Sequence, residues 1–262
     1  MNVLITGASG GIGRAVTEYL AEKGVTVYAL DVKECQFKDN VTFLKVDLTD
    51  DTSIESVKTF FEKSSVKLDA IINVAGIFVI DSFIEIDNNT LKKIFDVNLF
   101  AIIRLNKLLH PYLNKDGRII VTTSEVAPLD PMPFNGIYNT TKTALDCYAQ
   151  ALRQELNLIG QKVITIRPGA FNTNLSRGSL TLTKELSEKT VLYKNQSGKF
   201  YNLVKRFMGK PSNPQKIAPL YYKALTSKRP KLIYKKHTNP LLKLLNILPK
   251  RLQCAIVKGL LK

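Results

Sequence analysis

Four glycines, Gly7, Gly10, Gly11 and Gly13, stand between the short apolar run at residues 3–5 and a helical pattern carried by Ile12, Val16, Tyr19 and Leu20. Few folds accommodate that arrangement. Glycine lets a strand turn sharply into a helix and lets the helix pack close to the strand. It also leaves bare N–H groups at the helix start, where the dipole favours an anion. The order is Gly7-x-x-x-Gly11-x-Gly13, preceded by Thr6 and followed by no Lys-Ser/Thr pair, so it is neither GxGxxG nor a P-loop. Taken alone, the cluster reads as a phosphate cradle or as a plain structural turn.

The rest of the chain alternates in the same way. Apolar, β-branched runs at 25–31, 41–47, 68–76, 117–124 and 162–169 read as strands. Helical patterns follow the glycines, with Gly24 as C′ residue, and recur from Thr52 to about Lys63, from about 90 to 113, and over 137–160. The run "PKLIYKK" at 230–236 reads as a seventh, edge strand. Continuous apolar runs such as "LDAIINVAG" suit strands covered on both faces. The predicted fold class is α/β, a three-layer, doubly wound parallel sheet, and 262 residues suit one domain over 1–262. Right-handed crossovers would gather the glycine loop, Asp31, Asp47, residues 73–76, Ser124, Pro168 and Gly169 on one edge, where such sheets bind ligands. Asp31 lies about 20 residues beyond the glycines, where a carboxylate accepts hydrogen bonds from an adenosine ribose. It would repel a 2′-phosphate and so favours NAD, while Lys33 keeps NADP open.

"YNTTK" places Tyr138 and Lys142 one helical turn apart. A free phenol, with a pKa of about 10, is a poor base at neutral pH, and a neighbouring ammonium favours its ionised form. The same spacing occurs at Tyr19/Lys23 and Tyr201/Lys205, so spacing alone does not choose among the three.

Context does. "TGASGGIG" (6–13), "VDLTD" (46–50), "NVAG" (73–76), "DVNLF" (96–100), "VTTS" (121–124), "YNTTK" (138–142) and "RPGAFNT" (167–173) occur in one order. Together they resemble the short-chain dehydrogenase/reductase family, in its single-domain, Rossmann-type form. The resemblance implies an NAD(P)-dependent alcohol dehydrogenase or carbonyl reductase that moves a hydride between nicotinamide and a secondary alcohol or ketone. It implies that Tyr138 is the acid/base, that Lys142 binds the nicotinamide ribose and lowers the phenol's pKa, and that Asn98 holds a relay water. Ser124 would orient the substrate. Gly7, Ser9, Gly11, Ile12 and Gly13 would cradle the pyrophosphate, and Asp47 and Leu48 would meet adenine. Asn73, Ala75 and Gly76 would line the ribose and the approach to the nicotinamide, with Pro168, Gly169 and Thr173 at the nicotinamide end. Two positions depart from the pattern. Val74 stands where a second asparagine is usual, and the residue 13 before the tyrosine is Glu125. Ser124 is preferred for the substrate role, because a carboxylate would oppose negative charge developing on a polarised carbonyl. The alternative is a non-catalytic nucleotide-sensing or membrane-associated protein on the same fold.

Charge separates the chain into two parts. Residues 1–174 carry 18 Lys/Arg against 20 Asp/Glu, whereas 175–262 carry 20 Lys/Arg against only Glu185 and Glu188. About 174–215 reads as a substrate lid of mixed apolar and lysine residues, suited to a lipophilic substrate. Residues 239–262 read as a basic appendage of two amphipathic helices broken at Pro249. The stretches "ALTSKRPKLIY" and "LLNILPKRL" resemble the steroid and retinol dehydrogenase branch, which implies lipophilic alcohols and work at membranes. Three readings of the tail stand side by side: a helix pair packed on the body, an interfacial contact with an anionic membrane, and nucleic-acid binding, which the scarcity of aromatics disfavours. Three scattered cysteines and two histidines argue against a metal site. With no leader or spanning segment apparent, the chain reads as cytoplasmic, in contact at most with a membrane surface. The family resemblance implies a dimer or tetramer.

Overall fold

The computed structural model describes residues 1–38, 40–207 and 211–262, with side chains at all of these except 174–177 and 207. Among the described residues seven strands form one sheet: β1 (Asn2–Thr6), β2 (Thr26–Asp31), β3 (Val41–Lys45), β4 (Leu68–Asn73), β5 (Leu113–Thr122), β6 (Lys162–Pro168) and β7 (Ile233–Lys236). All pairings are parallel, in the order β3-β2-β1-β4-β5-β6-β7. Chain order reverses between β1 and β4, whose last residues, Thr6 and Asn73, lie side by side. That reversal opens a crevice at the carboxyl ends of the strands.

The period-2 alternation of side chains builds two cores from one sheet. Val3, Ile5, Ala70, Ile72 and Ile164 point to one face and pack with Val16 and Leu20 of α1 (Gly11–Glu22) and Tyr221 of α8 (Ala218–Thr226). Leu4, Ile71, Ile119 and Val121 point to the other. There they meet Phe61 of α2 (Asp51–Ser64), Ile102 and Leu105 of α4 (Ala101–Leu109), and Leu145 and Ala149 of α5 (Gly136–Asn157). Gly24 ends α1 at φ +75°, the left-handed conformation expected of its C′ position.

The helical stretch expected at 90–113 is broken into α3 (Asn88–Phe95), a π-helical turn (Asp96–Phe100), α4 and a 3-10 turn (His110–Tyr112). The wide turn carries Asn98 into the interior, and its amide there supplies a local reason for the irregularity. After β6 come α6 (Asn174–Lys189) and α7 (Lys194–Phe207), the segment read as a lid. Within it, residues 208–210 and the side chains of 174–177 and 207 lie outside the described residues. The segment's ends are drawn together by a bridge between Phe171 and Ser212, with Asn172 N–H donating to Ser212 O and Ser212 N–H to Ala170 O. The tail forms α9 (Pro240–Ile247) and α10 (Lys250–Leu261), divided at Pro249 as its ring requires. A third apolar cluster joins Leu186 of α6, Phe200 of α7 and Leu261 of α10 to Ile80 and Phe134 in loops of the body. Among the described residues no helix is long and apolar enough to cross a membrane.

Candidate active site

Close approaches explain the glycines of the first loop. Gly7 adopts φ +68°, and a Cβ there would lie 2.7 Å from the Ala75 Cα across the β1/β4 crevice. One on Gly13 would lie 1.9 Å from the Gly7 carbonyl oxygen, and one on Gly11 would lie 2.5 Å from Thr173 Cγ2. The loop therefore touches the chain on both sides through bare backbone. Helix α1 starts at Gly11 with no side-chain cap and no acidic residue in its first turn. Its first N–H groups are the kind of unpartnered donors that receive phosphate oxygens. The residues present thus fit a dinucleotide pyrophosphate.

Asp31 closes β2 and turns back on the loop: Ser9 N–H donates to its Oδ2 at 2.9 Å and Lys33 N–H to its Oδ1 at 2.9 Å. Ser9 Oγ donates to Lys33 O. The carboxylate at the end of β2 thus shapes the glycine turn. Asp47 accepts from Thr49 N–H and its hydroxyl, ordering the exit from β3, while Leu48 O accepts from Arg104. Asn73 is fully buried, and its amide donates to Asn106 Oδ1 at 2.9 Å.

A second group gathers around the start of α5. Tyr138 and Lys142 are both buried on it. Lys142 Nζ lies 5.8 Å from the Tyr138 ring centroid and donates to Thr122 O at 3.4 Å. The Ser124 hydroxyl accepts from Val126 N–H at 3.4 Å and lies close enough to the Tyr138 phenol to favour its ionised form. Asn98 takes Ile77 N–H on its Oδ1 at 2.8 Å and donates from Nδ2 to Ile77 O and to Thr141 Oγ1. Gly76 lies between these groups, since a Cβ there would be 3.2 Å from both Asn98 Oδ1 and Lys142 Nζ. Pro168 O accepts from Glu125 N–H, and Gly169 is pressed against the His237 carbonyl, where a Cβ would lie at 1.8 Å. Glu125 turns toward the C-terminal segment, its Oε2 accepting from Asn239 N–H at 2.5 Å. Of the two neighbours, Ser124 favours the ionised phenol and Glu125 opposes it.

Burial dominates the electrostatics. It pushes the Tyr138 phenol up to about 12, against the nearby Ser124 hydroxyl, and the negative charge of Glu125 adds to the rise. Burial also holds the Lys142 ammonium down to about 8. The lowered phenol expected from spacing alone is therefore not what the protein groups produce by themselves, because burial disfavours both charged forms.

The family model described as short chain dehydrogenase matches residues 1–182. This chain belongs to the short-chain dehydrogenases. As such it is an NAD(P)-dependent oxidoreductase that works by hydride transfer on a small molecule. It is similar to 3-ketodihydrosphingosine reductase of Bacteroides thetaiotaomicron, 27% identical over 232 residues, which span 87% of this chain and 84% of the relative. It is also similar to NADPH-dependent 1-acyldihydroxyacetone phosphate reductase of Schizosaccharomyces pombe, 33% identical over 199 residues, 73% and 67% of the two chains. Among solved structures, a short chain dehydrogenase family protein from Francisella tularensis superposes with a TM-score of 0.75 at 28% identity, covering 89% of this chain and 96% of the other. Nothing in these relatives favours the non-catalytic alternative.

In this dehydrogenase several neighbours of the site escape sequence reading. Phe78 sets its ring edge-on to Tyr138, with centroids 4.7 Å apart. It lies in "GIFVI", an apolar stretch with no helix or strand period to mark it. Thr141 accepts from Asn98 and donates to Tyr138 O at 2.8 Å, but in "YNTTK" it reads as filler. Thr6 Oγ1 accepts from Val74 and Ala75 N–H, tying the ends of β1 and β4. The motif-like position of Thr6 before Gly7 was the one available signal.

Proposed function

We propose that the protein interconverts a lipophilic secondary alcohol and its ketone, with NAD as the preferred coenzyme, Tyr138 as acid/base, Ser124 as holder of the substrate oxygen and Lys142 as partner of the nicotinamide ribose. The observation that carries this reading is the buried Ser124–Tyr138–Lys142 group, opening toward apolar side chains. Phe78 belongs both to the cluster around Tyr138 and to the one formed with α6, α7 and α10. A substrate carbon chain has greasy walls there, and α6 with α7 forms the lid over them. Support comes also from two relatives whose names carry the ketones 3-ketodihydrosphingosine and 1-acyldihydroxyacetone phosphate.

Bound nicotinamide supplies the carbon that takes or gives the hydride and, in its oxidised form, a positive charge. The chain's own part is placement and proton movement. Ser124 donates to the substrate oxygen, and the Tyr138 phenol gives it a proton in reduction or, as phenolate, removes one in oxidation. Lys142 and Asn98 continue the proton path, with Asn98 holding a water toward the ammonium. Asp31 favours NAD by repelling a 2′-phosphate, although one relative uses NADPH. Cytoplasmic work beside a membrane, as a dimer or tetramer, completes the reading.

Tyr138→Phe tests it. Turnover across a panel of lipophilic alcohols and ketones should fall by about 10²–10⁴-fold, while NADH binding, read by fluorescence, persists. Wild-type turnover in that variant would remove Tyr138 from the reaction.

A further inference from the structure

Helix α9 has no buried residue. Leu241, Leu244 and Ile247, one turn apart, are 53%, 62% and 79% exposed, and Leu252 and Leu260 of α10 are exposed as well. Water-facing aliphatic groups on an eight-residue helix have a cost unless something covers them. The segment that carries them is cationic: no acidic residue follows Glu188, and the last 74 residues carry 18 Lys and Arg. Glu125 and Asp130 of the body are acidic groups that meet it, at Asn239 and Lys250. Lys243, on α9 itself, and Arg251, just beyond Pro249, are exposed.

These two properties select one partner. A second copy would bring two strongly positive faces together. A nucleic acid would answer the charge but leave the leucines wet, and ring stacking on bases is not available from aliphatic side chains. An anionic bilayer answers both, taking the leucines below its headgroups and the cations at its surface. We propose that α9, through Leu241, Leu244 and Ile247 and the cations around them, docks this dehydrogenase onto an anionic phospholipid membrane. The docking surface deepens the reading of a lipophilic substrate, and rests on it for why a bilayer is the place to work.

The helix is also wired to the active site. Asn239 caps α9 with its side chain, and its N–H donates to Glu125, the residue after Ser124. Asn246 Oδ1 accepts from Asp130 N–H, and Lys250 is ion-paired with Asp130, so α9 and α10 hold the loop between Ser124 and Tyr138. A bilayer under α9 therefore lies next to the chamber a lipid ketone must enter.

Sedimentation of the full chain with phosphatidylserine/phosphatidylcholine vesicles tests the surface without any need for turnover. Binding should require phosphatidylserine and weaken as salt is raised. The exposed-face variant L241Q/L244Q/I247Q should lose about 100-fold or more in vesicle partition, from the apolar area it no longer buries, with wild-type melting temperature. Ile247→Glu, a single change at the most exposed of the three, should lose at least about tenfold. Wild-type partition in both variants, or a wild type that ignores phosphatidylserine, overturns the proposal. So does salt-sensitive retention of RNA without vesicle binding, or a dimer that the triple variant dissolves. A chain that docks through α9 but turns over no lipophilic alcohol or ketone would sink the substrate reading and leave the docking surface standing.

Discussion

Replacing Lys142 by Met should make this protein more stable while destroying its reaction. The amine is buried on α5, has one weak hydrogen bond at 3.4 Å to Thr122 O, and titrates near 8 instead of 10.5. Each pH unit of displacement corresponds to 1.36 kcal/mol, so keeping the ammonium charged in the folded chain costs about 3 kcal/mol at neutral pH. Methionine has a similar length and volume and carries no charge, so the pocket stays filled. The destabilisation is complete below pH 8, where the amine is protonated in both folded and unfolded chains. Between pH 8 and 10.5 the unfolded chain binds more protons than the folded one, so wild-type stability recovers as pH rises. Lys142→Met should therefore melt about 6–10 °C above wild type at pH 7, and the gap should shrink as pH approaches 10. Scanning calorimetry or thermal fluorescence at pH 6.5, 8 and 9.5 provides the measurement. A variant that melts with or below wild type at pH 7, or a gap that does not change with pH, would refute the claim that this charge is held against its solvation preference.

Three other perturbations probe different parts of the site. Gly13→Ala drives a methyl onto the Gly7 carbonyl, 1.9 Å away. It should weaken NADH binding at least tenfold by titration and cost about 1–3 kcal/mol in urea unfolding. Asn98→Ala strips Ile77 N–H, Ile77 O and Thr141 of a partner in a buried setting. It should cost about 1–3 kcal/mol in the same assay, with slower turnover. Asp31→Ser removes the carboxylate at the end of β2 and should shift the NAD/NADP ratio of kcat/KM toward NADP by at least about tenfold. An unchanged ratio would take coenzyme choice away from Asp31.

The strands, their parallel doubly wound class and the three layers were legible in the sequence because each follows from local pattern. Period-2 and continuous apolar runs mark buried strands, and glycine where no Cβ fits marks the cradle. The break at Pro249 follows from the ring itself, and α9 and α10 part there. Motif order brought Tyr138, Lys142, Ser124 and Asn98 into one list before any contact was visible. It could not say that Asn73 faces inward to Asn106, that Phe78 lies edge-on to the phenol, or that Glu125 turns to Asn239. Those are contacts between segments distant along the chain, and nothing local encodes them.

The electrostatics separate the two levels most sharply. An ammonium one turn from a phenol predicts a lowered phenol, since the Coulomb attraction is written in the spacing. Burial is not written there. Only the packed chain removes water from Tyr138 and Lys142 together, and in this protein burial raises the phenol and lowers the ammonium. Residue types and their order thus determined the fold and the candidate chemistry, while the folded surroundings decided which proton each group holds and which leucines stay in water.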